Sequence, residues 1–297
     1  MWIPPFLTYL ESECSRSRQT VETYRNCLED FERYMAAQEG QPNWDTADSD
    51  LVRDWMVEMM EKGASARTVC KKLSALKTFY RYLLGRKLVG HDPVHSLQGP
   101  KKEKSLPVYV READMNRLLD GDYFDKAPDG QRDRLILLIL YSTGIRRSEL
   151  YGLDWTDVDL EGRQLKVTGK RNKQRIVPFG NELHDALVAY RQTLDQEPPG
   201  EIRTQALLVN RKTGDRLSSA LIYKTVHDYL SLVSTQKKRS PHVLRHSFAT
   251  AMLNNGAHLE AVRELLGHES LATTEIYTHT TFEELKRMYN QAHPRAK

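Results

Sequence analysis

Cysteine is scarce in this chain. Cys14, Cys27 and Cys70 are its three, an odd number among 297 residues, and no two form a CxxC pair. That excludes a disulfide framework and a zinc knuckle. Long apolar runs are missing too: the longest, Leu135 to Tyr141, is far short of the roughly 20 residues that a bilayer demands. The opening Met1-Trp2-Ile3-Pro4-Pro5 lacks the basic stretch and apolar core of a secretory leader. There is no internal repeat and no low-complexity segment. With 39% hydrophobic and 28% charged residues, the composition is neither that of a disordered chain nor that of a collagen or coiled coil. What is left is a globular chain expected in the reducing cytoplasm, with no membrane partner, and long enough for about two domains.

Acidic residues are absent from one stretch. Residues 1–61 hold five Arg/Lys and thirteen Asp/Glu, whereas residues 62–91 hold eight Arg/Lys and no Asp/Glu. The formal net charge of +4 hides this partition, and such asymmetry within one domain points to an anion-binding surface better than net charge does. Within the basic stretch, Val69, Leu73, Leu76, Tyr80 and Leu83 recur at spacings of four and three. That predicts a helix over 65–84 with Ser65 as N-cap and Gly85 just past its end. A second stripe at the same spacing, Arg67, Lys71, Ser74, Thr78 and Arg81, is wholly basic or hydroxylic. An ordinary solvated helix face mixes both signs of charge; this stripe has the chemistry that contacts phosphate oxygens along a duplex.

Helical spacing also covers about 3–13, 18–39 and 48–62, so residues 1–98 read as an all-helical bundle. Residues 99–105, with Gly99, Pro100 and three lysines but no apolar side chain, read as a linker. From 106 to 297 the texture changes. Helices are expected at about 111–119, 131–141, 181–195, 218–233, 243–255, 258–266, 271–277 and 281–291. Two short strands at 165–167 and 175–177 flank a polar turn carrying Lys170. The fold class is mainly α (α+β): a helical bundle followed by a mostly helical domain with a small antiparallel sheet.

Five segments of the second domain concentrate polar residues where packing does not ask for them. Thr143-Gly144-Ile145-Arg146-Arg147-Ser148-Glu149-Leu150 places an arginine after a glycine turn that follows a deeply apolar helix. In Pro241-His242-Val243-Leu244-Arg245-His246, His242 and Arg245 share one helix face while Leu244, Phe248 and Ala251 take the core face. His242 and His246 have the spacing of half a zinc motif, but Val243 stands where a metalloprotease helix carries its Glu, so no metal is expected. Leu265-Leu266-Gly267-His268 reads as a helix stop, and Tyr277 follows nine residues later. The fifth segment is the Lys170 turn. Taken singly, each has an ordinary explanation in a surface ion pair or a packed side chain.

Taken together, TGIRRSEL at 143–150, GKRNKQRIVP at 169–178, HVLRHSFAT at 242–250 and LLGHESLATTEIYTH at 265–279 resemble the tyrosine recombinase (phage integrase) family, in particular its Xer-type members. The resemblance runs the length of the chain, since a SAM-like helical core-binding domain that clamps DNA and a basic linker are also family features. It implies a site-specific DNA recombinase that works without metal, ATP or another cofactor. The family's catalytic set falls on Arg146, Lys170, His242, Arg245, His268 and Tyr277, in order and without substitution. Arg147 stands where the family usually has a small or apolar residue.

The residue types suit the chemistry. Strand exchange without a high-energy cofactor needs a covalent intermediate, and a phenolate can both attack a phosphodiester and leave again. An ordinary tyrosine has a pKa near ~10, so Tyr277 must lose its proton during attack. In the implied roles Arg146 and Arg245 clamp the non-bridging oxygens, Lys170 protonates the departing 5′-oxygen, and His242 and His268 hydrogen-bond the phosphate, with His242 as acid/base for Tyr277. The implied partners are double-stranded DNA, a homo- or heterotetramer with a second recombinase, and a septal DNA translocase; the implied role is resolution of chromosome dimers at cell division. A mobile-element integrase shares the chemistry, and a DNA-binding protein that keeps the fold without catalysis is the alternative of another class. The last helix, opening at Thr281-Phe282-Glu283-Glu284 with an apolar stripe of Phe282, Leu285, Met288 and Tyr289, is expected from the resemblance to dock on a neighbouring protomer.

Overall fold

The computed structural model describes residues 2–101, 108–125, 127–169, 172–196, 202–236, 238–267 and 281–296. The chain divides into two compact units, Met1–Ser105 and Leu106–Lys297. The first is built from α1 (Ile3–Ser12), α2 (Arg18–Glu39), α3 (Ser49–Glu61) and α4 (Ala66–Gly85). Short polar side chains start three of these. The Ser17 hydroxyl accepts the Thr20 N–H, Asp48 accepts those of Asp50 and Leu51, and Ser65 accepts that of Thr68, each capping first-turn N–H groups that lack an i−4 helical carbonyl. The apolar faces meet in an aromatic core, with Phe6 and Phe79 rings 5.0 Å apart and Phe31 and Trp55 rings 4.8 Å apart. All five residues of the apolar stripe of α4 are buried.

Gly85 does not lie past the end of α4; it is the last helical residue, and the left-handed position falls on Lys87 (φ 54°). Lys87 N–H bonds Leu84 O and Leu88 N–H bonds Leu83 O, a Schellman closure with lysine in the place glycine usually takes. The turn falls there because Val89 and Val94, both buried, must return the chain to the core. Gly99 and Pro100 lie against α4: the Cys70 thiol donates to Pro100 O, and a Cβ on Gly99 would come within 2.5 Å of that sulfur.

The second unit runs α5 (Glu112–Asp120), α6 (Pro128–Thr143), α7 (Arg147–Gly152), β1 (Val158–Asp159), β2 (Gln164–Thr168), β3 (Gln174–Pro178), α8 (Asn181–Asp195), β4 (Val209–Asn210), β5 (Asp215–Arg216), α9 (Ser219–Val233), α10 (Pro241–Asn254), α11 (Leu259–Leu266) and α12 (Phe282–Ala292). Strands β1, β2 and β3 form one antiparallel sheet in that order, with Val167 opposite Arg175, and β4 and β5 pair separately. The two-residue strands β1, β4 and β5 are too short to show alternation, so periodicity could not find them. The expected helix at 271–277 lies outside the described residues.

Helix α6 is buried all round from Leu135 to Tyr141 and forms the centre of the unit's main core. A second apolar cluster joins Phe248 and Met252 of α10 with α11 and α12. Helix α10 supplies Val243 and Leu244 to the first core and Phe248 to the second, so Arg245 is carried on the helix that spans both. The α12 stripe packs within its own chain, with Leu285, Tyr289 and Ala292 buried and Phe282 and Met288 half-buried. Beyond it, the His293 ring stacks on Tyr289 and Arg295 pairs with Asp120 and Glu182. Among the described residues no helix is long and apolar enough to cross a membrane.

Candidate active site

Two glycine-stopped helix ends define the site. Helix α6 ends at Gly144 and α11 at Gly267, both left-handed with φ 63°. At Gly144 side chains are excluded by space as well as by conformation: a Cβ there would run into the Phe248 ring and come within 2.8 Å of Leu266 Cδ2. A helix C-terminus leaves its last carbonyls without helical donors, and the aligned peptide dipoles make that end negative. Both ends are therefore places where cations can be held.

Three arginines fill them. Arg245 donates to Gly144 O at 2.8 Å and to Leu266 O at 2.6 Å. Arg146 donates to Gly267 O at 3.2 Å. Arg175, from β3, donates through Nε to Leu265 O at 2.8 Å. Three consecutive carbonyls at the end of α11 thus each take a different guanidinium. Arg245 is only 8% exposed; burial first, then the charge of Arg146, lowers its pKa to about 10, which leaves it fully charged near neutrality. The two carbonyls take only two of the five donors a guanidinium carries.

Glu149 balances part of this charge. Its Oε1 accepts from Arg146 Nη1 at 2.7 Å and Arg175 Nη1 at 3.0 Å, and its Oε2 from the Arg146 N–H at 2.8 Å and Arg175 Nη2 at 2.9 Å. Burial alone would raise this carboxyl's pKa. The Arg175 and Arg146 hydrogen bonds together outweigh it, so the net shift is downward and Glu149 stays ionised. Against three guanidiniums and one carboxylate, the cluster has an excess of two positive charges.

His242 sits in the first turn of α10, exposed, one turn before Arg245. Partial desolvation, then the charges of Arg245, His246, Arg147 and Arg146, lower its pKa, so the ring is neutral at physiological pH and keeps a lone pair to accept a proton. The Arg147 guanidinium lies 5.5 Å over the Tyr223 ring of α9. Of the two adjacent arginines, Arg146 is the one brought to Arg245.

The structure therefore gathers Arg146, His242 and Arg245, three of the residues singled out from sequence. Lys170, His268 and Tyr277 lie outside the described residues. Their flanks are described: Gly169 N–H bonds Lys173 O at 2.7 Å to close the β2–β3 hairpin, and Gly267 ends α11 just before His268. Sequence reasoning missed Glu149 and Arg175. Glu149 could have been found as the glutamate three positions after the N-cap Arg146, where a carboxylate can accept the N-cap N–H. Arg175 could have been found as a charge on the inward-facing phase of a strand that also carries Val177.

In the first unit, Arg67, Lys71, Ser74 and Arg81 are exposed on α4, opposite its buried stripe. Thr78 is half-buried, its hydroxyl donating to Ser74 O at 2.9 Å and lying 3.4 Å from the Tyr24 hydroxyl. Lys72, off the stripe, is paired with Asp30.

A sequence model of the Phage integrase family matches residues 109–284, and one of the phage integrase N-terminal SAM-like domain matches residues 3–87. The chain is 39% identical over 303 residues to a protein named tyrosine recombinase XerC from Pelotomaculum thermopropionicum, covering 99% of this chain and 98% of the relative. It is 34% identical over 294 residues to one named tyrosine recombinase XerD from Staphylococcus epidermidis, covering 99% of each. Among solved structures it resembles XerH site-specific recombinase bound to difH substrate in a pre-cleavage complex, with a TM-score of 0.69 and 26% identity over 95% of this chain and 83% of that one.

Proposed function

Because this chain belongs to the phage integrase family, we propose that it is a site-specific DNA recombinase that cuts and rejoins strands through a 3′-phosphotyrosyl intermediate, with Arg146, Lys170, His242, Arg245, His268 and Tyr277 as its catalytic set. The observation that carries the reading is the guanidinium pair of Arg146 and Arg245, fixed by helix-end carbonyls within a cluster of two excess positive charges. A phosphodiester bears one negative charge, and its pentacoordinate transition state bears a second as the attacking phenolate joins. Donors held in advance where that charge develops need no reorganisation during reaction.

In the reaction, Tyr277 Oη attacks phosphorus, forming the phosphotyrosyl bond as the bond to the 5′-oxygen breaks. Neutral His242 takes the phenol proton, and Lys170 gives a proton to the departing 5′-oxygen. His268 hydrogen-bonds the phosphate. The freed 5′-hydroxyl of the partner duplex then reverses the step at the new junction. These residues supply proton transfer and charge stabilisation among themselves, and no cofactor is called for.

The same reading takes 1–98 as the core-binding domain, 99–105 as linker and 106–297 as the catalytic domain. It assigns Arg67, Lys71, Ser74, Thr78 and Arg81 to the DNA backbone. The XerC and XerD relatives support an Xer role; the reading extends that role to chromosome-dimer resolution in the cytoplasm by a tetramer, with a second recombinase and a septal DNA translocase as partners. A nicked suicide duplex, which loses its 5′-fragment after cleavage, should trap the protein on DNA. Tyr277→Phe should bind that duplex normally and trap nothing; trapping by this variant would refute the assignment of the nucleophile.

A further inference from the structure

We infer that Arg175 is a positioning residue for strand cleavage: by sharing Glu149 with Arg146, it keeps the Arg146 charge available to phosphate and ties the Lys170 hairpin to the arginine clamp. The inference rests on the cleavage reading above and extends it to a residue outside the catalytic set.

Arg175 occupies a costly place. It lies opposite Val167 on the inward phase of the hairpin, where Leu165, Val167 and Val177 are buried, and its side chain is 15% exposed. An apolar residue there would fold more cheaply, so a charge at this position calls for a reason.

The reason is found in Glu149. A carboxylate can accept about four hydrogen bonds, and Glu149 has four, two from Arg146 and two from Arg175. Without Arg175, a carboxylate whose side chain is 2% exposed would be left to Arg146. The pair would then be neutral, and the guanidinium would be drawn towards Glu149 and away from a phosphate. With Arg175 present the carboxylate is divided between two cations, and Arg146 retains net positive charge.

The geometry reaches further. Arg175 Nε holds Leu265 O, the first of the three carbonyls whose next two members hold Arg245 and Arg146. Gly267 leaves room for it, since a Cβ there would come within 3.1 Å of Arg175 Nη1. On the hairpin side, a Cβ on Gly169 would lie 3.3 Å from Glu149 Oε1. The residue preceding Lys170 is thereby packed against the same carboxylate. One side chain links β3, α7 and the end of α11.

The test compares full-length wild-type, Arg175→Ala, Arg175→Lys, Glu149→Gln and the Arg175→Ala/Glu149→Gln double variant. Single-turnover trapping on the suicide duplex is measured at saturating protein, with affinity for the intact duplex and circular dichroism measured in parallel. Arg175→Ala should cleave about 10- to 100-fold more slowly, the scale of losing a held donor or its alignment, with affinity changed less than about threefold. Adding Glu149→Gln should restore about tenfold of that loss, because the neutral amide no longer competes for Arg146. Arg175→Lys, which keeps the charge but not the fork, should fall between wild type and Arg175→Ala. If Arg175→Ala does not fold, Arg175→Gln with and without Glu149→Gln makes the same comparison. A double variant no faster than the single one, or Arg175→Ala trapping at the wild-type rate, overturns the inference. A wild-type chain that traps nothing would overturn the cleavage reading, and this inference with it.

Discussion

Gly144 joins stability to catalysis, and its replacement by alanine isolates the contribution of the α6 stop. At φ 63° an alanine incurs the left-handed cost of about 1–2 kcal/mol. The new methyl also has nowhere to go, because the Phe248 ring and Leu266 Cδ2 occupy its place, and crowding a packed core adds about 1–3 kcal/mol. The total is about 2–5 kcal/mol. Gly256 is the internal control. It lies in the same unit at φ 91°, but a Cβ there meets nothing within 4 Å, so Gly256→Ala should cost only the backbone share of about 1–2 kcal/mol. Calorimetry of the full chain should show the transition of the second unit falling by about 2–4 °C for each kcal/mol lost, with Gly144→Ala clearly the larger drop. Because Gly144 O and Leu266 O hold Arg245, Gly144→Ala should also slow trapping in folded protein, and Gly256→Ala should not. Equal thermal losses for the two variants would refute the argument that the neighbours of Gly144 close it to side chains.

Two other outcomes are expected. Alanine at Arg67, Lys71 or Arg81, all exposed on α4, should lower DNA affinity and reduce the slope of log K against log salt by about one counterion unit for each lost phosphate contact; an unchanged slope removes that residue from the interface. His293 is buried with Nδ1 accepting the Arg295 N–H and Nε2 facing Tyr141 O. Burial, as the largest cause, lowers its pKa to about 3. Since the unfolded ring takes up a proton below about pH 6.5 and the folded ring does not, the contribution is complete above that pH and is lost as pH falls towards 3. His293→Gln should remove about 2 kcal/mol of the stability change between pH 6.5 and 5, read from urea unfolding at each pH.

The last helix shows what a local pattern leaves open. Its stripe and capping box are legible in the sequence, and Thr281 and Glu284 do exchange both capping bonds. Within the single chain, Leu285 and Tyr289 are buried with Phe248 and the α11 core; docking on a neighbouring protomer is an expectation from the resemblance that a single chain does not test. An amphipathic pattern says that a face must be covered; it does not say by which chain.

Periodicity determined most of the helices here, because an apolar stripe at spacings of three and four is a local property of the chain. The same holds for the exposed stripe of α4 and for Gly144 and Gly267 as helix stops. Arg146, His242 and Arg245 were singled out, in that order, by the resemblance of their segments to the recombinase family, since each segment alone has an ordinary explanation. Only the tertiary structure decided that Arg146, and not Arg147, joins Arg245, and that Glu149 is divided between two guanidiniums. It alone brought Arg175 from a strand to the same three carbonyls. The reason is physical: a carboxylate's partners, a helix end's orphan carbonyls and the desolvation that lowers the His242 pKa are set by residues distant in sequence. No local pattern encodes which of them meet.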